Sequence, residues 1–65
     1  MITNIDIYRS AKILVDIHGE NAPIEAAKKA DEMLEKGDLA GKAAWLRILK
    51  AIQEILLENT RRTIH

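Results

Sequence analysis

The sequence contains no cysteine and no phenylalanine, and only 3% of its 65 residues are aromatic. Without cysteine the chain has neither disulfides nor thiolate metal ligands, which are common sources of stability in domains this small. Its core must therefore be built from aliphatic side chains and alanine. Close helix packing or association with a partner subunit is left as the source of additional stability.

The sequence also lacks an excess of charge of either sign. Ten basic residues balance ten acidic ones, so the formal net charge is zero, which favours neither nucleic acid nor a membrane surface as a partner. No apolar run approaches the roughly 18–20 residues of a membrane span. The N-terminal residues do not show the basic-then-apolar order of a signal peptide, so we expect a cytoplasmic protein.

Glycine and proline divide the chain into three segments, each with apolar residues at helical spacing. Gly19 and Gly37 follow the first two segments, and glycine readily adopts the left-handed conformation that ends a helix. Pro23 suits the first turn of a helix, because its missing N–H costs nothing there, and Asp38 is a good N-cap. The predicted helices cover residues 4–18, 23–36 and 38–58, and a frayed tail is expected at residues 59–65.

The third segment holds the only tryptophan and the densest apolar run, a stripe of about five helical turns. The first two segments are shorter, and each has an apolar side of its own. We therefore predict an all-α, three-helix domain in which two short helices pack on one long C-terminal helix. The predicted core residues lie on the facing apolar sides of these helices: Leu14, Ala30, Leu34, Trp45, Ile48 and Leu49.

The difference in helix length predicts a homodimer. At about 1.5 Å per residue the short helices are each about 20 Å long and the third is about 30 Å, so residues 52–57 are expected to stay uncovered. Leaving several large aliphatic side chains in water is costly for a small domain, and a second subunit removes that cost. On the first helix, two isoleucines also fall away from the main apolar face. The predicted interface residues are Ile13, Ile17, Ile52, Ile55 and Leu56.

An ordered set of short motifs runs through these segments. The first helix contains Tyr8 and alanines, and is followed by HGENAP at 18–23, AAxxADxxL at 26–34, GDLAG at 37–41, then Trp45 and a closing Ile/Leu helix. In this order and spacing, the chain resembles a family of small bacterial all-helical proteins of unknown function. The resemblance covers about residues 5–57. It implies a compact helical fold, and it implies no activity, cofactor or catalytic residue.

Few residues offer catalytic or metal-binding chemistry. His18 could be a general base or a metal ligand, but the only other histidine is His65 and no metal-ligand spacing is present. In the last turn of a helix, His18 is better explained by its interaction with free carbonyl groups and the helix dipole. Asp31, Glu32 and Glu35 have lysine neighbours on a solvated helix face. We therefore expect no enzymatic activity, no metal and no cofactor.

Two functions remain open for the chain. The first is a non-enzymatic protein-interaction or self-assembly module, whose partner is a second copy or another protein, and in which Trp45 anchors the core instead of binding a ligand. The alternative is a small helix-turn-helix-like DNA-binding regulator that uses the outer face of the third helix. The neutral net charge and the apolar stripe favour the first. The DNA-contacting residues in the alternative are Lys42, Arg47, Lys50, Gln53, Arg61 and Arg62.

Overall fold

The computed structural model describes residues 4–63, and side chains for residues 4–60. Within these residues the chain is helical and contains no strand, so the all-α prediction is confirmed. None of the helices in this range is both long and apolar enough to cross a bilayer. The elements are α1 (Asn4–His18), a 3-10 helix (Gly19–Asn21), α2 (Ala22–Glu35) and α3 (Leu39–Thr63).

A single glycine reverses the chain between α1 and α2. Gly19 has a φ of +58°, the left-handed conformation that the sequence predicted for it. The 3-10 helix then leads directly into α2, with Pro23 in the first turn of that helix. The connection is therefore tighter than an irregular turn, and helical structure extends from Asn4 to Glu35 with only this change of direction.

The end of α2 is a Schellman motif centred on Gly37, whose φ is +77°. The Gly37 N–H donates to the Leu34 carbonyl at 3.0 Å, and the Asp38 N–H donates to the Met33 carbonyl at 2.8 Å. Asp38 then caps α3, because its Oδ1 accepts a hydrogen bond from the Gly41 N–H at 2.8 Å. The predicted glycine stop and aspartate cap are both confirmed.

Helix α3 ends later than predicted. It continues to Thr63, so the expectation of fraying is wrong for residues 59–63, while residues 64–65 lie outside the described range. No glycine or proline follows Glu58 to end the helix, and each added residue of a formed helix gains a backbone hydrogen bond. The Thr60 hydroxyl also donates to the Leu56 carbonyl at 3.0 Å, so its side chain is satisfied within the helix.

The two short helices are staggered along α3. Asn4 at the start of α1 contacts Arg47, and Gly19 at its end lies beside Leu56, so α1 runs parallel to the C-terminal part of α3. Met33, near the end of α2, lies close to Gly41, so α2 runs antiparallel to the N-terminal part. Together α1 and α2 therefore cover more of α3 than either helix does alone.

The stagger overturns part of the interface prediction. Ile52 is 0% exposed and belongs to the core of its own chain, so placing it in a dimer interface is wrong. Ile55 and Leu56 are half-buried and pack against the same core, so part of their surface is already covered within the chain, and their place in an interface stays a prediction. The length argument failed because it assumed two helices side by side, whereas their offset covers Ile52 and part of Ile55 and Leu56. The core cluster consists of Ile7, Ala11, Ala22, Ala26, Ile48 and Ile52.

The predicted core residues divide into three groups. Ala30 and Ile48 are buried, and Leu14, Trp45 and Leu49 are half-buried against the core cluster. Leu34, in contrast, is 48% exposed, so assigning it to the core is wrong. The buried row on α2 is Ala22, Ala26 and Ala30, and each four-residue step turns the side-chain direction by about 40°. By Leu34 the direction has turned by about 120°, away from α3.

Candidate interaction surface

The candidate chemical groups do not come together in the folded chain. His18 is half-buried at the end of α1, and Asp31, Glu32 and Glu35 of α2 are exposed. Two glutamates of α2 face lysines on the same helix, Glu25 with Lys28 at 3.9 Å and Glu32 with Lys29 at 3.4 Å. Among the described residues no group of three or more potential metal ligands is found, and no polar or charged side chain is buried.

One exposed apolar surface lies on α1, and we call Ile5, Ile13 and Ile17 the α1 face. All three are well exposed, and Ile17 is 69% exposed. A shallow groove with Ile5 and Ile13 in its lining runs from Asn4 to Asp16, and all its lining residues come from α1. The predicted interface residues Ile13 and Ile17 therefore remain available for contact. Three charged residues interrupt this face: Arg9, Lys12 and Asp16.

A second exposed apolar surface lies on α3, and we call Leu39, Leu46 and Leu57 the α3 face. At about 100° per residue, the three leucines point within about 20° of one another and about 120–180° away from the buried isoleucines of α3. Leu39 is 68% exposed, and the other two are also well exposed. These leucines therefore occupy the side of α3 opposite the core.

The sequence-based interface prediction missed the α3 face. The signal was present, because Leu39 and Leu46 are seven residues apart and Leu57 follows eleven residues later, which keeps all three on one side of a helix. The three leucines lie opposite the main stripe, and they were left out of the predicted interface because that stronger stripe accounted for the helix. A second apolar stripe on a helix indicates an interaction surface only once the first stripe is known to be covered by the other helices of the chain.

The charges beside the α3 face are separated by sign along the helix. Between Leu39 and Gln53 the charged residues are Lys42, Arg47 and Lys50, and no acidic residue occurs. Glu54 and Glu58 follow. Arg47, Lys50 and Glu54 border one shallow groove, and Arg47 also donates a hydrogen bond to the Asn4 side chain at 2.7 Å. Over residues 39–58 the charges beside the α3 face are thus basic first and acidic further along, and two arginines follow at positions 61 and 62.

Trp45 and Lys42 are less accessible than a binding role for either would require. Trp45 is half-buried and packs against the core cluster. Lys42 is half-buried as well, whereas Arg47, Lys50 and Gln53 are exposed. The outer surface of α3 is therefore a mixture of leucines and basic groups.

No family model, curated protein or solved structure matches this chain. The resemblance to a family of small bacterial helical proteins stays a prediction.

Proposed function

We propose that this chain is a non-enzymatic, cytoplasmic interaction module, a three-helix domain that associates with a second copy of itself. The observation that carries the proposal is the distribution of large apolar side chains. Among the residues whose side chains are described, only three isoleucines are buried, and the rest of the buried core is alanine. Nine large hydrophobic residues are exposed within the described range. A domain this small gains stability from covering such surfaces.

Two surfaces can form the contact between copies, the α1 face and the α3 face. Ile13 and Ile17 stay in the proposed interface through the α1 face, whereas Ile52 is removed from it because it is buried within the chain. Ile55 and Leu56 are half-buried and belong to neither face. Each face has three large aliphatic side chains, and each of these side chains is about half exposed to water in the monomer. Scattered apolar residues are ordinary on a protein surface, but two groups of three on single helix faces favour partner contact.

The expected dimer is weak. Burying a large aliphatic side chain completely is worth about 1.5–3 kcal/mol, so covering six half-exposed residues across a symmetric interface gains about 5–9 kcal/mol. Association itself costs at least about 4 kcal/mol in lost translational and rotational freedom. The surplus is about 1–5 kcal/mol, and its upper end corresponds to a dissociation constant of about 0.2 mM. Measurements must therefore extend to concentrated protein.

Light scattering after size-exclusion chromatography tests this proposal. We expect the mass to rise from 7.3 kDa towards twice that value as concentration increases. Two double variants separate the faces, Ile13→Asp with Ile17→Asp and Leu46→Asp with Leu57→Asp, and one of them should remain monomeric. Ile24→Asp is the matched control, because Ile24 is comparably exposed but lies on α2. A monomer at about 1 mM, or dimers in both double variants, would contradict the proposal.

The DNA-binding alternative has one observation in its favour, the exposed Arg47, Lys50 and Gln53 on a stretch of α3 without acidic residues. Its recognition surface would also include the α3 leucines, which make no hydrogen bonds to base edges. Binding of duplex DNA would support it if the logarithm of the binding constant falls with the logarithm of the salt concentration at a slope that corresponds to several neutralised phosphates. Binding that Arg47→Ala and Lys50→Ala leave unchanged would count against it.

A further inference from the structure

We infer that the α3 face pairs with the α3 face of a second copy, with the two helices antiparallel. This inference rests on the proposed self-association and specifies its surface and direction. The charges beside the leucines indicate that the partner which covers the α3 face is a second copy of the chain. Over residues 47–58 this surface is basic in its first half and acidic in its second, and such a surface is complementary to itself only when one copy is turned end to end.

The parallel arrangement is disfavoured by the same charges. In a parallel pair every residue on the seam lies beside its own counterpart, so Lys50 of one copy meets Lys50 of the other. Lys42 then also lies near the second copy's Arg47. In a parallel pair of helices, a residue on one side of the line of contact lies opposite the residue five positions further along on the other helix. Both contacts bring like charges together. Leu46 and Leu57 match in either direction, whereas Leu39 meets a leucine only in the parallel pair, so the argument for the antiparallel arrangement rests on the charges.

The antiparallel arrangement has a register in which these charges are compensated. With a two-fold axis between residues 51 and 52, Leu46 of one copy packs against Leu57 of the second copy, and each such contact occurs twice. Arg47 then lies beside Glu54 of the second copy on the same flank of the seam, again twice. Lys50 lies level with Gln53 of the second copy and one residue from its Glu54, so a carboxylate stands beside each Lys50 although the two lysines are only about 4.5 Å apart along the axis. The aliphatic stem of Lys50 can cover the contact between the helices while its ammonium group reaches water.

The intramolecular structure leaves this side of α3 free for such a contact. The buried isoleucines of α3 point the opposite way, towards α1 and α2. Arg47 uses one terminal nitrogen for the hydrogen bond to Asn4, and a guanidinium group carries five N–H donors, so it can bind a carboxylate as well. The α1 face lacks a comparable order, because Arg9, Lys12 and Asp16 separate its isoleucines.

Thiol cross-linking tests the direction, since the chain contains no native cysteine. We expect a short thiol-reactive cross-linker to join a tagged Leu46→Cys chain to an untagged Leu57→Cys chain, and to join neither variant to itself. In the antiparallel register the two Leu46→Cys positions lie about 16 Å apart along the axis. Cross-linking of Leu46→Cys to itself would indicate the parallel arrangement and overturn the inference.

Charge reversal tests the register through the same interface. Arg47→Glu and Glu54→Arg should each weaken the dimer by about tenfold, because two ion pairs become two repulsive contacts. A mixture of the two variants should recover the affinity of the original chain, because every substituted site then faces a charge of opposite sign. Recovery cannot arise from a loss of folding, and a mixture that stays as weak as its components would overturn the register.

The outcomes also separate this inference from the proposed function. A chain that is monomeric at high concentration contradicts both. A chain that remains dimeric when Leu46→Asp and Leu57→Asp are combined contradicts only the inference, because another surface then forms the dimer. If all variants melt close to the melting temperature of the original chain, their effects concern association and not folding.

Discussion

Replacement of Ile52 by alanine should remove a large part of the stability of the domain. Ile52 is 0% exposed and is the largest fully buried side chain of the described residues. Truncating a buried isoleucine to alanine costs about 2–5 kcal/mol, through lost transfer energy and the cavity that remains. A chain of this length has a total stability of about 3–10 kcal/mol. Ile52→Ala should therefore lie near the limit of folding.

Urea unfolding followed by circular dichroism measures this loss. Ile17→Ala is the matched control, because it removes the same atoms from a side chain that is 69% exposed, and its effect should stay within about 0.5 kcal/mol when the protein is monomeric. A core substitution lowers the unfolding free energy equally at every protein concentration, whereas an interface substitution has a larger effect when more dimer is present.

Two results would refute this reasoning about Ile52. One is a loss no larger than that of Ile17→Ala, which would mean that the side chain is not packed. The other is a loss that appears only at high protein concentration, which would return Ile52 to the interface between copies.

The remaining predictions concern the junction of α2 and α3. Asp38→Ala should cost about 1 kcal/mol because the Gly41 N–H loses its cap, and Asp38→Asn should retain most of that stability in the same urea assay. Gly37→Ala should cost about 1–2 kcal/mol because of its φ of +77°; no loss would mean that this turn is flexible. A β-carbon at Gly41 would lie 2.5 Å from Asp38 Oδ2 and 2.9 Å from Met33 Sδ. Gly41→Ala should therefore not raise the unfolding free energy of the original chain, although alanine favours a helix more than glycine does. In a chain that also carries Asp38→Ala, the same substitution should raise the unfolding free energy, because the clash is removed. Additive effects of the two substitutions would contradict the clash.

The parts of the fold that depend on local chemistry were predictable from the sequence. Gly19 and Gly37 adopt the left-handed conformation, and Asp38 caps α3, because each of these choices is decided within a few residues. The exposure of Ile13 and Ile17 followed from the helical angle alone. For these positions, the sequence pattern and the folded structure agree because no distant contact is involved.

The errors arose where the relative position of whole helices matters. Ile52 was placed outside the core because the offset between α1 and α2 cannot be read from their lengths. Leu34 was placed inside the core because its apolar character was weighed without the gradual rotation of the alanine row on α2. The α3 face was left out of the predicted interface for a related reason, since two apolar stripes on one helix cannot be assigned to core or surface until the packing partners are located.

Self-association of the unmodified chain is the central claim, and sedimentation equilibrium over a wide concentration range tests it most directly. The account predicts a weight-average mass that approaches 7.3 kDa in dilute solution and rises towards twice that mass in concentrated solution. The rise should fit a single monomer–dimer equilibrium, because an isologous interface closes after two copies. A mass of 7.3 kDa at every concentration, or growth beyond the dimer without limit, would contradict it.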